Sequence, residues 1–342
     1  MSAEVVPARR ATSFDVAREA GVSRSTVSQV LNGDIRFPAE TRAKVIAAAE
    51  QLNYRPSRAG RALVTGLSDI VVVLVPNATF GPHLQDSVDR ITNASATAGL
   101  SVVVRFGRPD DERTLTSVQD LRPTAVVDLG VLTASQRSQL DAAGIRTIPS
   151  AARPVVGAGE DEDPFDILIG RLQVRELVRT GPRAVVYAAL ADSRLDPFGP
   201  PRREGIRREA AEHGLAEPDE IRVPLDLDGA HAAVAEALDR AGDGPIGFCC
   251  YNDDVAIAVI AAVRRLGRSI PQDVAIIGVD RTEVGQLVSP RLSTISIDMP
   301  TLLESFVAEL TTVRGGSASG QDLPMARPDA AALVQVVRGE TS

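Results

Sequence analysis

"DVAREAGVSRSTVSQVLN", residues 15–32, decides how the N-terminal part of this chain is read. Two short segments with apolar residues at helical spacing flank one glycine, Gly21. The second segment is crowded with hydroxyls (Ser23, Ser25, Thr26 and Ser28) and holds Arg24 among them. Ser13 is the expected N-cap of the first segment, and Gly21 supplies the left-handed residue that closes it. Ser23 caps the second, whose Thr26, Val27, Val30 and Leu31 make an inward face at i, i+3, i+4 spacing. Asn32-Gly33 is a turn signal that stops it. A third segment, "PAETRAKVIAAAEQLNY" (38–54), begins with proline at a helix start and carries Val45, Ala49 and Leu52 as its apolar stripe.

Three short helices, the first two joined by a tight glycine-containing turn, form a helix-turn-helix unit. The second helix of such a unit enters the DNA major groove by its N-terminal end. Small hydroxyl side chains permit close approach and bond phosphates, while Arg24 reaches base edges. The pattern alone also suits an ordinary capped helix with a solvated polar face. Charge adds to the first reading. Residues 1–64 hold 10 basic and 6 acidic side chains, a net of +4, against −12 for the remainder and −8 for the chain. A basic head on an acidic body implies that the head alone meets a polyanion.

Beyond Gly66 the text alternates apolar runs with amphipathic stretches. "DIVVVLV", "LSVVVRF", "TAVVDLG" and "IRTIPS" read as strands, separated by helices at 83–98, 110–120 and 133–143. A second series, "RAVVYAAL", "EIRVPL", "GPIGFCCY" and "QDVAIIGVD", is interleaved with helices near 202–213, 229–240 and 253–266. Continuous β-branched runs alternating with helices signify buried parallel strands. Two series imply two doubly wound α/β subdomains that take ligands at the carboxyl ends of their strands.

Composition narrows the function classes. A chain of 342 residues suggests two or three domains, and 44% hydrophobic with 24% charged residues describes a soluble globular protein. There is no apolar run of about 18 residues, so no membrane partner is expected. The N-terminus lacks the apolar core of a signal peptide, which gives the cytoplasm as the expected address. Cys249 and Cys250 are adjacent in one strand and point to opposite faces, which argues against a disulfide between them. His83, His213 and His231 are scattered away from both, so no metal site is expected. Gly157-Ala158-Gly159 lacks the third spaced glycine of a dinucleotide fingerprint. With no Walker loop, nucleophile elbow or paired catalytic motif, neither a cofactor nor catalysis is expected.

"TSFDVAREAGVSRSTVSQVLNG" followed by "PAETRAKVIAAAEQLNYRPSRAGRAL" resembles the DNA-binding region of the LacI/GalR family of transcriptional repressors, densely over residues 12–63. The resemblance implies that Arg24, Ser25 and Gln29 read bases, and that Ser23, Thr26, Ser28, Asn32 and Tyr54 hold the DNA backbone. It also implies a hinge, "SRAGRALVT" (57–65), with Arg58, Gly60 and Leu63 at the minor groove. The resemblance further implies that two such segments pair as helices on the operator and that Leu63 wedges into the central base step. Alone the hinge is too short to be helical, and Gly60 costs about 1 kcal/mol relative to alanine.

The same family joins its head to a periplasmic-binding-protein-like core. "YNDDVAIAVIAAVRRLGRSIPQDVAIIGVD" (251–280), "SPRLSTISID" (289–298) and the Arg-x-x-Gly of "PPRREGI" (200–206) match its pattern. The resemblance implies that Arg202, Asn252, Asp253 and Asp280 face the interdomain cleft, with Arg202 and Asp280 binding effector hydroxyls. "PNATFGPHL" and "TGPR" (180–183) depart from the family pattern, and the acidic "GEDEDPFD" (159–166) sits where the family has a short segment of the cleft. Aromatics make up only 3% of the chain, with no tryptophan, and Phe80, Phe165 and Phe198 are the candidates for stacking on a sugar. The expected effector is a hydroxylated or anionic metabolite, a sugar first.

The expected architecture is therefore an all-α helix-turn-helix head (11–56), a hinge (57–65) and a two-subdomain α/β core (68–338). The expected function is a homodimeric, effector-controlled repressor on a near-palindromic double-stranded DNA operator. A dimer rather than a tetramer is expected because the chain ends at a strand. A solute-binding protein built on the core alone and an enzyme on a doubly wound fold are the alternatives, and the basic head argues against both.

Overall fold

The computed structural model describes residues 11–31, 36–54, 68–76, 83–108, 111–149, 165–191, 198–312 and 329–342. The chain divides into two compact units, Met1–Asp69 and Ile70–Ser342.

The first unit holds α1 (Ser13–Ala20), α2 (Arg24–Leu31) and α3 (Ala39–Gln51). The cap of α1 is Thr12, one residue earlier than expected, because Asp15 reaches back to it. Asp15 Oδ2 accepts from the Thr12 N–H at 2.9 Å and from Thr12 Oγ1 at 2.7 Å, a reciprocal capping arrangement. Gly21 closes the helix at φ 65°. Val16, Ala17, Val27, Val30, Val45, Ala48 and Ala49 form the buried centre. Leu31, Phe37, Leu52 and Tyr54 pack around it.

The second unit begins with β1 (Ile70–Pro76), α4 (His83–Thr97), β2 (Ser101–Gly107), α5 (Glu112–Leu121), β3 (Ala125–Asp128), α6 (Ala134–Ala142) and β4 (Arg146–Ile148). These strands make a parallel sheet in the order β2-β1-β3-β4. There follow α7 (Phe165–Val178), β5 (Ala184–Leu190), α8 (Gly199–Glu212), β6 (Asp219–Val223), α9 (Leu227–Ala241), β7 (Ile246–Cys250), α10 (Asp253–Arg265) and β8 (Val274–Val279). The chain continues through α11 (Glu283–Leu287), β9 (Ser293–Ile297), α12 (Met299–Thr312), α13 (Ala330–Leu333) and β10 (Val334–Val337). The second sheet runs β10-β9-β8-β7-β5-β6, parallel except for β10 against β9. Val71 through Val75 and all of β7 and β8 are buried, which explains their unbroken apolar text.

The antiparallel β10 departs from the expected all-parallel series. Its cause is α12, whose Leu303, Phe306 and Leu310 pack on Val71, Val73 and Val75 of the first sheet. The chain thus leaves the second sheet after β9, covers the first, and returns. The packed structure also continues past 338. Thr341 Oγ1 donates to the Ile276 carbonyl at 2.7 Å and accepts from the Ser293 N–H at 2.9 Å. Among the described residues, no helix is long and apolar enough to cross a membrane.

Both sheets reverse their strand order beside their first strand, at β1/β3 and at β5/β7. Such a reversal leaves a crevice beyond the carboxyl ends of the two diverging strands.

Candidate functional site

In the head, α2 buries Val27 and Val30 and presents Arg24, Ser25, Ser28 and Gln29 to solvent. Positions i, i+1, i+4 and i+5 share one helix face, so the apolar spacing that packs the helix also gathers its polar side chains. Ser23 is the cap, its Oγ accepting the Thr26 N–H at 3.1 Å. The same Oγ lies 2.7 Å from Ser25 Oγ and 2.8 Å from Thr26 Oγ1. Three hydroxyls are thus tied together at a helix N-terminus, where the dipole favours phosphate. Thr26 is half-buried, and Tyr54 packs against the head's centre. Asn32, Arg58, Gly60 and Leu63 lie outside the described residues.

In the second unit, the residues that follow β5 and β7 meet at the strand-order reversal. Arg202, in the first turns of α8, is buried and donates from Nη1 to the Tyr251 carbonyl just after β7, at 2.8 Å. Its Nε donates to Asp166 Oδ1 on the first turn of α7 at 2.9 Å. The guanidinium lies over two rings, 5.6 Å from the Phe198 centroid and 5.4 Å from that of Tyr251, in cation–π range. Burial works against its charge, but Asp166 and then Asp280 outweigh that and raise its pKa above the ordinary value.

The Arg-x-x-Gly spacing has a packing reason. A Cβ on Gly205 would lie 2.0 Å from the Ile167 carbonyl oxygen, and one on Gly170 would lie 2.1 Å from the Arg202 carbonyl oxygen. Helices α7 and α8 therefore cross backbone against backbone, which brings Asp166 to Arg202. Sequence reasoning placed the segment 159–166 at the cleft without singling out Asp166, and it missed Tyr251. No local pattern links residues 166 and 202, and only the paired glycines hint at the crossing.

The other expected ligand-facing residues divide by role. Asn252 caps α10, its Oδ1 accepting the Val255 N–H at 3.0 Å. Asp253, expected to face the cleft, is fully buried and turned inward. Its Oδ2 accepts from the Thr282 N–H at 2.6 Å and from Thr282 Oγ1 at 3.1 Å, and its Oδ1 from Thr294 Oγ1 at 2.6 Å. A carboxylate in that position anchors the turn after β8 rather than offering itself to solvent. Burial raises its pKa to about 6 against the lowering effect of the Thr294 and Thr282 hydrogen bonds, and Asp280 raises it further. The anchored turn displays Asp280 at φ 100° and Arg281 at φ 49°, both in a region that non-glycine residues rarely adopt. Arg202, Tyr251 and half-buried Asp280 thus converge beyond β5, β7 and β8.

The profile of bacterial regulatory proteins of the lacI family matches residues 14–57, and that of a periplasmic binding protein-like domain matches residues 174–322. The HTH-type transcriptional regulator CelR of Thermobifida fusca is 31% identical over 309 residues, which cover 86% of this chain and 88% of that protein. The ribose operon repressor of Escherichia coli K12 is 30% identical over 294 residues, covering 83% and 87%. The lac repressor dimer bound to operator and the anti-inducer ONPF shares the fold, with TM-score 0.74 at 22% identity over 97% of this chain and 99% of that one. A regulator's head and a ligand-binding core thus occur in one chain, matched nearly end to end by such a relative, and the chain belongs to the lacI family of transcriptional regulators, DNA-binding proteins and not enzymes.

Proposed function

We propose that the protein is a cytoplasmic, homodimeric repressor that binds a near-palindromic operator and is controlled by a small hydroxylated effector. The exposed face of α2 carries this reading. Arg24, Ser25 and Gln29 read bases, Ser23, Thr26, Ser28, Asn32 and Tyr54 hold phosphates, and the segment 57–65 docks Arg58, Gly60 and Leu63 in the minor groove. The crevice at Arg202, Asn252 and Asp280 takes the effector, with Asp253 behind it as a support. The likeness to a cellobiose-bound regulator and to a ribose operon repressor supports a sugar as effector class. Such a ligand changes operator affinity only by binding the repressor's two conformations unequally.

Self-association is supported by a groove of about 410 Å³ lined by Leu225, Leu227, Ile257, Ala261 and Val284. Beside it Leu287, on the same short helix as Val284, is 84% exposed. A two-fold contact needs a self-complementary apolar patch, and the lac repressor with this fold is a dimer on its operator. Gel shifts against genomic fragments at several salt concentrations test the DNA reading. Specific complexes that survive competitor DNA support it, and purely nonspecific, salt-labile binding refutes it.

A further inference from the structure

We propose that Asp166 sets the chemical class of the effector: by holding Arg202 in an ion pair it makes the crevice select uncharged, hydroxyl-bearing molecules over their phosphorylated or carboxylated counterparts. This inference rests on the reading of the crevice as the effector site, and it narrows the expectation of a hydroxylated or anionic metabolite.

An anion is best recognised by the free fork of a guanidinium, two parallel N–H groups to two oxygens. Here the fork is already engaged. Nε goes to Asp166 at 2.9 Å and Nη1 to the Tyr251 carbonyl at 2.8 Å. The rings of Phe198 and Tyr251 hold the guanidinium between them, and the side chain is only 8% exposed, so it does not swing out to meet a ligand. Among the described residues, the Arg202 cation faces two carboxylates, Asp166 and Asp280, with Asp253 buried behind the second. Arg281 follows Asp280 in sequence but is exposed. An arriving phosphate would therefore meet a paired cation and two like charges. A polyol meets acceptors in Asp280 and Asp166 and a donor in the remaining Nη2.

The experiment is a titration of the full-length chain, followed by thermal shift and calorimetry. The probes are neutral monosaccharides and disaccharides, their phosphates, and inorganic phosphate. Wild type and Asp166→Asn are compared, with Asp166→Ser as a second variant should the first misfold. The expected result is that wild type ignores inorganic phosphate. Asp166→Asn removes the charge that neutralises Arg202, although its amide oxygen still accepts from Nε, and binds phosphate at least about tenfold more tightly, a 1.4 kcal/mol change. Adding Arg202→Met to Asp166→Asn should abolish that gain. The inference is overturned if phosphate binds wild type and Asp166→Asn alike, or if a sugar phosphate binds wild type more tightly than its neutral parent in an Arg202-dependent way. A neutral sugar whose binding survives Arg202→Met refutes the effector site itself. The phosphate comparison decides the charge argument separately.

Discussion

Replacing Asp253 by asparagine separates an anchoring carboxylate from a ligand contact, and the structure gives the sign of the effect and its order of magnitude. Asp253 is fully buried, and its carboxyl titrates near 6 instead of 3.8, chiefly because burial disfavours its charge. The folded protein thus holds this proton more tightly than the unfolded chain does. Between the two values, unfolding releases a proton, so wild-type stability falls as the pH rises from about 4 to about 6 and then levels off. A difference of about two units at 1.36 kcal/mol each amounts to about 3 kcal/mol. Asparagine is isosteric and does not titrate. Its oxygen accepts from Thr282 and its amide donates to Thr294 Oγ1, so the turn keeps its partners.

Urea unfolding of wild type and Asp253→Asn at pH 4, 5, 6 and 7, followed by circular dichroism, isolates this group from all others that titrate. The stability difference should move by about 3 kcal/mol in favour of asparagine between the ends of that range. Operator affinity without ligand should stay unchanged. A difference that is flat with pH would refute the reasoning, because it would mean that Asp253 ionises in the fold without cost.

Other outcomes follow from the same geometry. Arg24→Ala should cost about 1–3 kcal/mol of discrimination at one base pair per half-site, read by competition with operator variants; uniform weakening over all sequences would make Arg24 a phosphate contact instead. Asp15→Ala removes both bonds to Thr12 and should destabilise α1 by about 1 kcal/mol, seen as faster amide exchange in that helix alone. Gly205→Ala forces a methyl against the Ile167 carbonyl. It should cost at least about 1–3 kcal/mol of core stability and pull Asp166 from Arg202, with the effector response lost while operator binding persists.

How far the sequence went depended on whether a feature is local. The three head helices were legible because a helix-turn-helix is made of adjacent segments whose caps and apolar spacing are read within a few residues. Val27 and Val30 sit where the spacing put them, and Asp15 moved the first cap by only one position. The parallel strands were legible from β-branched runs such as Val71–Val75. The return strand β10 was not, because it exists only through α12 packing on a sheet some 230 residues earlier in the chain, a contact with no signature in the text between. The ligand crevice lay between these cases. Motifs pointed to Arg202 and Asp280, yet Asp166 joins them through a helix crossing that depends on Gly170 and Gly205. Asp253 was placed at the cleft by the family resemblance, whereas burial and two threonines turn it inward.

The buried carboxylate at position 253 raises the question of why a group that lowers stability at neutral pH is present. Asp280 and Arg281 occupy left-handed backbone conformations, each costing on the order of 1–3 kcal/mol for a non-glycine residue. Such strain persists only where the surroundings over-determine it. A charged acceptor makes hydrogen bonds roughly twice as strong as a neutral one, and Asp253 directs three of them across the turn, to Thr282 twice and to Thr294 once. Thr282 is in turn the cap of α11, through its Oγ1 and the Gly285 N–H at 3.1 Å. One buried group therefore fixes both the turn that presents Asp280 and the start of the helix that carries Val284 and Leu287. The desolvation cost and the backbone strain lie in one short segment, and both serve to hold a carboxylate toward the crevice in a single orientation. A neutral residue would make the fold more stable and the turn less firmly set, which is the exchange expected of a binding site rather than of a core position.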